Sequence, residues 1–375
     1  MTETVEVTIV ANDIGPEGGM ERQLTELIGG LLEAGHRITV VAWTCTLPPH
    51  PNLRWLRVPG FSRPYALGYP LFLAAASLIV RRHGRGLVHS TGAIVLNPTD
   101  VCTVHFCHQA FAERSGSSRA SRPGFAFALN AWVVRRMSRL AERWCYRPGR
   151  AQRLVPVSTG VAAELRRHFP AMEERIATIP NGVDTEAFSP ATDGGTERGT
   201  LRALFVGGEW ERKGLRFAIE AVATCPGVEL TVVGAGDEAG FAALAEDLGA
   251  GSRVHFAGTT TDPAAWFRRA DAFVLPTAYE SFSLVTYEAA ACGLPLLVTR
   301  VNGVEDLLRD GVSGWFVERS AADLATRLRQ LRDSPELRLR MGAAAREDAL
   351  QHSWAHVVDS YRQLYAELAA QGGGR

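Results

Sequence analysis

The sequence predicts an α/β protein made of two doubly wound, Rossmann-like domains that face a central cleft. Its opening elements are an apolar run at Val5–Ala11, helical apolar spacing over Gln23–Glu33 and a second strand at Arg37–Ala42. Two further units of strand, turn and helix begin at Leu201–Val206 and Leu230–Val233. The length of 375 residues is enough for two domains that each bury a core of their own.

The charge of the chain is balanced overall but unevenly distributed. The 40 basic and 40 acidic residues give a net charge of zero, which argues against a general binder of polyanions such as nucleic acid. Residues 1–155 hold 18 arginines and 10 acidic residues, a net charge of +8, so the remaining residues carry −8. We expect the basic half to be the one that meets an anionic surface or acceptor.

The cysteines and the first residues predict a reduced, cytoplasmic protein. No two of the six cysteines are spaced as C-x-x-C, and Met1–Thr4 is polar and acidic, unlike the start of a secretory signal. The longest apolar run, near Leu71–Val80, is about half of the ~20 residues that a membrane span requires. The cysteines are Cys45, Cys102, Cys107, Cys145, Cys225 and Cys292.

The turn Gly15–Arg22 is rich in glycine and lies between the first strand and the first helix. Glycine at Gly18 and Gly19 would let the backbone come close to a phosphate or to an acceptor group. The alternative is an ordinary tight turn, because glycine also marks turns that bind no ligand.

His89 and His105 are each predicted at the end of a strand. Ligands gather at the carboxyl ends of strands in an open α/β sheet, so both side chains are expected to point towards a cleft. The alternative for each is a packing role with satisfied hydrogen bonds. Cys102, Cys107 and His108 do not complete a zinc template with His105, and no D-x-D pair occurs in the chain. We therefore predict no metal site.

The stretch Phe125–Arg153 is predicted as a basic helical element in which arginines alternate with aromatic and aliphatic side chains. Such a pattern can lie on an anionic membrane, so peripheral contact with the inner face of a membrane is a second expectation. The alternative is a solvated helix that covers the sheet. The arginines are Arg135, Arg136, Arg139, Arg143, Arg147, Arg150 and Arg153.

The turn after Leu201–Val206 contains the only lysine of the chain, Lys213, while the other 39 basic residues are arginines. An ammonium is a compact point charge, which suits one oxygen of a diphosphate better than a wide guanidinium does. Lys213 is therefore predicted to bind phosphate, although a single lysine could also occur at this position by chance.

A second glycine-rich turn, Gly234–Ala239, matches the G-x-G-x-x-A fingerprint of dinucleotide-binding folds. It is the basis of the main alternative, an oxidoreductase that uses a nicotinamide cofactor. The acidic residue that should follow at the end of the next strand is missing, which counts against this alternative.

Two glutamates eight residues apart, Glu280 and Glu288, begin the most informative stretch of the chain. Residues Leu284–Ala291 contain no glycine or proline and predict a helix, with Glu280 in the loop before it and Glu288 about one turn inside it. The free N–H groups at the start of a helix suit a diphosphate, and carboxylates accept hydrogen bonds from sugar hydroxyls. The alternative is a capped, half-buried helix with solvated glutamates.

These segments together resemble the retaining glycosyltransferases of family 4, which have the GT-B fold. The matching motifs are the E-x7-E of residues 280–288 with its continuation to Gly314, the G-G-x-E-R of residues 18–22, the T-x-H of residues 103–105, the R-K-G of residues 212–214 and the I-P-N-G-V-D of residues 179–184. The resemblance covers nearly the whole chain.

The resemblance implies a role for each matching residue. It implies that Glu280 contacts the donor sugar, that Arg212 and Lys213 bind the diphosphate, and that Glu288 binds the ribose. It places His105 between donor and acceptor and Thr259 beside the base of the nucleotide. The residues expected to form the sugar-nucleotide site are Gly18, Gly19, Gly208, Arg212, Lys213, Thr259, Glu280, Phe282, Ser283, Leu284 and Glu288.

The implied function is metal-independent transfer of a sugar, with retention of configuration, from a nucleotide-diphosphate sugar to a hydroxyl of a glycan, lipid-linked or small-molecule acceptor. No further cofactor is expected. Residues 1–155 with a returning helix at 353–370 would bind the acceptor, and residues 156–352 would bind the donor. A protein that binds sugar nucleotides without catalysis is the remaining alternative.

Overall fold

The computed structural model describes residues 4–15, 18–61, 65–114, 125–191 and 199–372. The chain divides into two compact units, with unit 1 formed by Met1–Asn181 and Trp354–Arg375 and unit 2 by Gly182–Ser353. Each unit contains a six-stranded parallel sheet with flanking helices, so the predicted α/β class is confirmed.

Unit 1 is built on the sheet order β5-β3-β1-β6-β7-β8. Its strands are β1 (Glu6–Val10), β2 (Asp13–Ile14), β3 (Arg37–Ala42), β4 (Thr44–Cys45), β5 (Leu53–Arg57), β6 (Leu87–Thr91), β7 (Thr99–Val104) and β8 (Ala151–Pro156). Its helices are α1 (Gly19–Glu33), α2 (Tyr65–His83), α3 (His108–Arg114), α4 (Phe125–Cys145), α5 (Thr159–His168) and the last helix of the chain, α13 (Trp354–Gly372). The short strands β2 and β4 pair with each other.

Unit 2 repeats this arrangement with the sheet order β11-β10-β9-β12-β13-β14. Its strands are β9 (Leu201–Val206), β10 (Val228–Val233), β11 (Val254–Gly258), β12 (Ala272–Leu275), β13 (Leu296–Val298) and β14 (Gly314–Phe316). Its helices are α6 (Trp210–Lys213), α7 (Leu215–Ala223), α8 (Glu238–Asp247), α9 (Pro263–Arg269), α10 (Leu284–Ala291), α11 (Ala321–Asp333) and α12 (Pro335–Leu350).

In both sheets, the direction in which successive strands are added reverses at the first strand. In unit 1 the chain moves outwards from β1 to β3 and β5, then returns to place β6 on the other side of β1. In unit 2 the equivalent pair is β9 and β12. Loops that leave the carboxyl ends of such a pair diverge and open a crevice, which is where open α/β sheets bind ligands.

The core of unit 1 explains why α13 belongs to it. Leu27 and Leu31 of α1 are fully buried, and Tyr361 and Tyr365 of α13 lie in the same apolar cluster. A Cβ atom at Gly30 would lie 2.5 Å from Val358, so glycine permits the close approach of α1 and α13. The hydroxyl of Tyr365 is hydrogen-bonded to Nδ1 of His89 at 2.6 Å, which links α13 to strand β6 of the sheet.

Two sequence-based boundaries differ from the structure. The predicted division after residue 155 falls inside β8, which pairs in parallel with β7 of the first sheet, and the compact units separate at Asn181. The basic helix was predicted to reach Arg153, but α4 ends at Cys145 and Arg153 lies in β8. A turn at Arg147–Arg150 separates the two, with the N–H of Arg150 donating to Arg147.

None of the helices in the described ranges is long and apolar enough to cross a membrane. The side chains of residues 125–129, on which part of the prediction for the basic helix depended, lie outside what the structure describes.

Candidate functional site

The crevice of unit 2 contains the predicted phosphate-binding turn between β9 and α6. Gly207 (φ 138°) and Gly214 (φ 79°) bracket it, and Glu209 adopts the left-handed conformation with φ 49°. Glycine is required at Gly214, because a Cβ atom there would lie 2.3 Å from the carbonyl oxygen of Pro276. The turn therefore packs its backbone directly on the loop that follows β12.

Lys213 and Arg212 both bind Glu280 across this crevice. Lys213 Nζ lies 2.9 Å from Glu280 Oε1, and an Arg212 guanidinium nitrogen lies 3.2 Å from the same oxygen. The Lys213 and Glu280 side chains are only 11% and 13% exposed, so this ion pair is largely removed from water. A buried charge is stable only with a partner, which explains why all three groups meet at one point.

The loop around Glu280 holds the carboxylate in place. Thr277 Oγ1 donates to Glu280 Oε1 at 3.1 Å, and the carbonyl of Tyr279 accepts a hydrogen bond from Arg212. Burial alone would lower the pKa of Arg212, but the carboxylates of Glu280 and Glu209 raise it above its usual value. Thr277 and Tyr279 were not singled out in the sequence, and only their contacts reveal a supporting role.

A second arginine, Arg319, links the two loops. Arg319 donates to the carbonyls of Pro276 at 3.2 Å and Glu211 at 2.7 Å, so it links the loop after β12 to α6. It also lines a cavity of about 540 Å³ together with Thr277 and Arg300. Nothing in the local sequence around Arg319 predicted its hydrogen bond to Glu211, because the two residues lie more than a hundred positions apart.

The helix α10 begins where the sequence predicted it, at Leu284, and its first turn is unusual. Ser283 has φ 66°, and it and Glu209 are the two non-glycine residues with positive φ in the described part of the chain. Such conformations cost ~1–3 kcal/mol and persist where neighbouring contacts enforce them. Ser283 is held by a 2.8 Å hydrogen bond to Thr286. Both strained residues precede a helix at the same crevice.

The other predicted donor residues lie in α10, in the loop just before it, or after β11. Phe282 is buried and stacks on Tyr287 with ring centroids 4.3 Å apart. Glu288 is 7% exposed within α10, one turn beyond Leu284. Thr259 is exposed and follows β11, the outermost strand, two strands from β9. Lys213, Arg212 and Glu280 are thus brought together, while Thr259 lies apart from them after an outer strand of the sheet.

Close packing explains the two glycines of the turn Gly234–Ala239, which matches the dinucleotide fingerprint. A Cβ atom at Gly234 would lie 2.2 Å from the carbonyl oxygen of Gly207, and one at Gly236 would lie 2.3 Å from the ring of Trp210. The helix behind the turn, α8, is capped by Asp237, whose carboxylate accepts from the N–H of Gly240 at 3.1 Å. A carboxylate at that helix start repels a pyrophosphate, which counts against a dinucleotide at this turn.

Unit 1 has its own pocket at the change of direction between β1 and β6, with a volume of about 170 Å³. Residues after both strands line it, including Asn12, Asp13 and Gly92, and helices α2 and α4 contribute Tyr69 and Ser138. Glu21 and Met20 from the start of α1 lie on its wall. Gly18 caps α1 with φ 90°, which favours glycine, and Gly19 is the first residue of that helix.

His105 lines this pocket, and its Nε2 is 3.1 Å from Gln23 Oε1. Burial lowers the pKa of His105 to about 4, and it lowers the pKa of His108, which also lines the pocket, to about 4. Both rings are therefore uncharged at neutral pH. They can exchange hydrogen bonds with a hydroxyl, and they hold no positive charge for a phosphate.

The prediction that His89 points towards a cleft is wrong. The strand β6 continues to Thr91, so His89 lies in the middle of the strand and is fully buried. Its two ring nitrogens lie 2.6 Å from the hydroxyl of Tyr365 and 2.7 Å from that of Thr103. His89 is a core residue with both hydrogen bonds satisfied, and burial lowers its pKa to about 3.

Two family models match successive parts of the chain. A model described as Glycosyltransferase Family 4 matches residues 17–187, and one described as Glycosyl transferases group 1 matches residues 194–348. Curated relatives include a D-inositol 3-phosphate glycosyltransferase of Pseudarthrobacter chlorophenolicus, 35% identical over 226 residues, covering 56% of this chain and 54% of the relative. The equivalent protein of Mycobacterium bovis is 33% identical, covering 59% of this chain and 50% of its own length. The chain thus spans about half the length of these relatives.

Solved structures share the fold over nearly the full length. WaaG, a glycosyltransferase involved in lipopolysaccharide biosynthesis, superposes with a TM-score of 0.77 at 22% identity, covering 96% of this chain and 99% of WaaG. HepE of Anabaena, solved in complex with UDP-glucose, gives a TM-score of 0.71 at 18% identity, covering 98% and 100%. At such identities the likeness establishes the GT-B fold alone.

Proposed function

Because this chain belongs to the family 4 glycosyltransferases with the GT-B fold, we propose that it transfers a sugar from a nucleotide-diphosphate sugar to a hydroxyl acceptor. The single observation that carries this proposal is the buried meeting of Lys213, Arg212 and Glu280 at the crevice of unit 2. The relatives are named as glycosyltransferases, and a solved neighbour binds UDP-glucose, which supports a nucleotide-sugar donor.

The cations of unit 2 suit a departing diphosphate. Lys213 and Arg212 are already oriented by Glu280, so they need no reorganisation when charge develops on the leaving oxygen. The first N–H groups of α10, from Ser283 and Leu284, add donors at the positive end of the helix dipole. These groups take the part that a divalent ion has in other transferases, so we propose that the reaction is metal-independent.

Glu280 is proposed to orient the donor sugar through the carboxylate oxygen that does not receive the three donors converging on Oε1. In the proposed retaining reaction, the bond between the anomeric carbon and the phosphate oxygen breaks. A bond to the acceptor oxygen forms on the same face, and the acceptor proton passes to the departing phosphate. Glu288 is proposed to bind the ribose hydroxyls.

Titration with the free nucleotide diphosphate tests these roles. We expect Glu280→Gln to reduce turnover far more than nucleotide binding, and Glu288→Ala to weaken nucleotide binding. Equal effects of the two substitutions on binding would contradict the assignment. Arg216→Ala is the control, because Arg216 is exposed and pairs with the neighbouring Glu220 in α7.

We propose as a further part of this function that unit 1 contacts an anionic membrane. In α4, Trp132 and Leu140 are 56% and 55% exposed, and arginines lie between them. Arg147 and Arg150 stack on the ring of Trp144 at 3.9 and 4.5 Å from its centroid. Exposed apolar side chains among arginines fit the interface of an anionic bilayer.

Flotation with phosphatidylglycerol vesicles at low salt, compared with phosphatidylcholine vesicles, tests this contact. We expect the protein to float with the anionic vesicles, and Trp132→Ala to reduce the bound fraction. Leu339→Ala is a control for loss of an exposed apolar side chain, since Leu339 in unit 2 is 75% exposed. Absence from both vesicle types would contradict membrane contact.

A further inference from the structure

We infer that the acceptor of this protein is an unphosphorylated polyol or sugar, bound by its hydroxyl groups in the pocket of unit 1. The inference rests on the proposed glycosyl transfer and adds the chemical class of the second substrate. It follows from the groups that line the pocket and from their charges.

The pocket wall carries negative charge. Asp13 follows β1 and is fixed by Thr44, whose hydroxyl donates to Asp13 Oδ1 at 2.5 Å. Glu21 lies on the same wall, folded back over the start of α1, since a Cβ atom at Gly18 would lie 2.2 Å from Glu21 Oε2. Like charges placed side by side cost several kcal/mol, so these carboxylates disfavour a phosphate dianion.

The remaining polar groups of the pocket are neutral and suit hydroxyls. The side-chain nitrogen of Asn12 donates to Tyr65 at 3.3 Å, while its buried oxygen has no hydrogen-bond partner among the described residues. His105 and His108 add rings that are uncharged at neutral pH. Carboxylate, amide and imidazole acceptors, with a phenol and an imidazole N–H as donors, match the alternating donors and acceptors of a polyol.

The arginines of α4 face elsewhere. This helix presents Val134 and Ser138 to the pocket, whereas Arg135 and Arg136 between them are exposed to solvent. Among the described residues that line the pocket there is no arginine and no lysine. The positive charges of Arg135 and Arg136 therefore lie on the solvent-exposed face of α4, away from the pocket.

Matched acceptor pairs test the inference on the full chain. The pairs are myo-inositol with myo-inositol 3-phosphate and glycerol with glycerol 3-phosphate, each assayed with UDP-glucose, GDP-mannose and ADP-glucose by release of nucleoside diphosphate. We expect kcat/KM to be higher for the unphosphorylated member by roughly tenfold or more, which corresponds to about 1.4 kcal/mol. Equal or better use of the phosphorylated members would overturn the inference.

A carboxylate substitution gives a second readout. Glu21→Gln removes one negative charge. It should reduce the ratio of kcat/KM between the unphosphorylated and the phosphorylated acceptor of each pair at least about threefold. Glu33→Gln makes the same charge change at the exposed far end of α1 and should leave this ratio of kcat/KM unaltered. If Glu21→Gln left the ratio of kcat/KM unchanged, the carboxylate would not select against phosphate, and this result would contradict the inference.

Calorimetric titration of the same four probes separates this inference from the proposed function. If no donor is consumed with any acceptor or with water, glycosyl transfer fails as the function. The titration still decides between the classes, because binding of myo-inositol 3-phosphate more tightly than myo-inositol would overturn the acceptor class even then. Tighter binding of myo-inositol would support it.

Discussion

The crevices of the two units occupy equivalent positions in equivalent sheets and differ in charge. In unit 2, Lys213 and Arg212 meet one carboxylate, Glu280, beside the start of α10. In unit 1, the corresponding pocket holds Asp13 and uncharged histidines. We propose that the same strand order supports a site for an anion in one unit and a site for neutral hydroxyls in the other. The topology determines where a ligand binds, and the loop residues determine which ligand it is.

The crevices also differ in backbone strain. Both non-glycine residues with positive φ in the described chain, Glu209 and Ser283, belong to unit 2. A diphosphate needs closely spaced N–H groups and cations at fixed positions, which requires tight turns. A polyol can be bound by side chains alone, and the described residues that line the pocket of unit 1 include no non-glycine residue with positive φ.

The largest expected effect comes from removing the ammonium group of Lys213 in unit 2. Lys213→Ala should lower kcat by roughly a hundred- to thousandfold, or ~3–4 kcal/mol, because the charge on the leaving diphosphate loses one fixed donor. Lys213→Arg should also be impaired, since Gly207 already lies against the lysine stem and a Cβ atom there would be 2.7 Å from Lys213 Cε. Steady-state kinetics measures both variants after circular dichroism has shown that they fold.

Near-normal turnover of Lys213→Ala would mean that the charge difference between the two crevices has no catalytic consequence. Arg216→Ala, on the exposed face of α7, is the control for loss of a cation elsewhere in unit 2.

The next effect concerns the tight backbone of unit 2. Gly214→Ala should lower the free energy of unfolding by roughly 2–3 kcal/mol, because the new methyl group would meet the carbonyl of Pro276 in a left-handed conformation. Gly249→Ala has a similar φ of 68° but no neighbour within 4 Å, so it should cost only about 1 kcal/mol. Urea denaturation of both variants measures the difference, and equal losses would contradict the importance of the backbone contact.

A smaller effect concerns His89, the buried histidine in the core of unit 1. His89 has a pKa of about 3 in the folded protein and 6.5 ordinarily, so the unfolded chain binds the proton more readily between these values. The contribution of His89 to stability is complete above pH 6.5 and falls as the pH falls, by about 2 kcal/mol at pH 5. Urea denaturation of the protein and of His89→Gln at pH 7 and 5 measures it. A pH dependence that is identical in the variant would contradict this assignment.

The smallest expected effect is that of chelation. EDTA should leave the transfer rate unchanged, because in the proposed reaction the cations and the α10 helix start of unit 2 serve the diphosphate in place of a metal ion. Complete loss of activity in EDTA that Mn²⁺ or Mg²⁺ restores would rule out this account of the crevice.

Local sequence determined much of this protein. The bounds of β3, β9 and α10 follow from the patterns at Arg37–Ala42, Leu201–Val206 and Leu284–Ala291, because apolar runs and helix-forming residues act within a few positions. The α/β class follows from the order of these elements, and the family follows from motifs spread along the chain. These features depend on residues that are neighbours in sequence.

The tertiary structure alone decided what depends on distant residues. His89 resembled a ligand at a strand end, and only its contacts with Tyr365 and Thr103 show a core residue. Gly234 matched a dinucleotide fingerprint, and only the carbonyl of Gly207 against it supplies another reason for glycine. Arg319 carried no signal until its bonds to the loops around Glu211 and Pro276 were seen. Burial and pairing across the fold set the charge and hydrogen bonding of a side chain, and no short stretch of sequence specifies them.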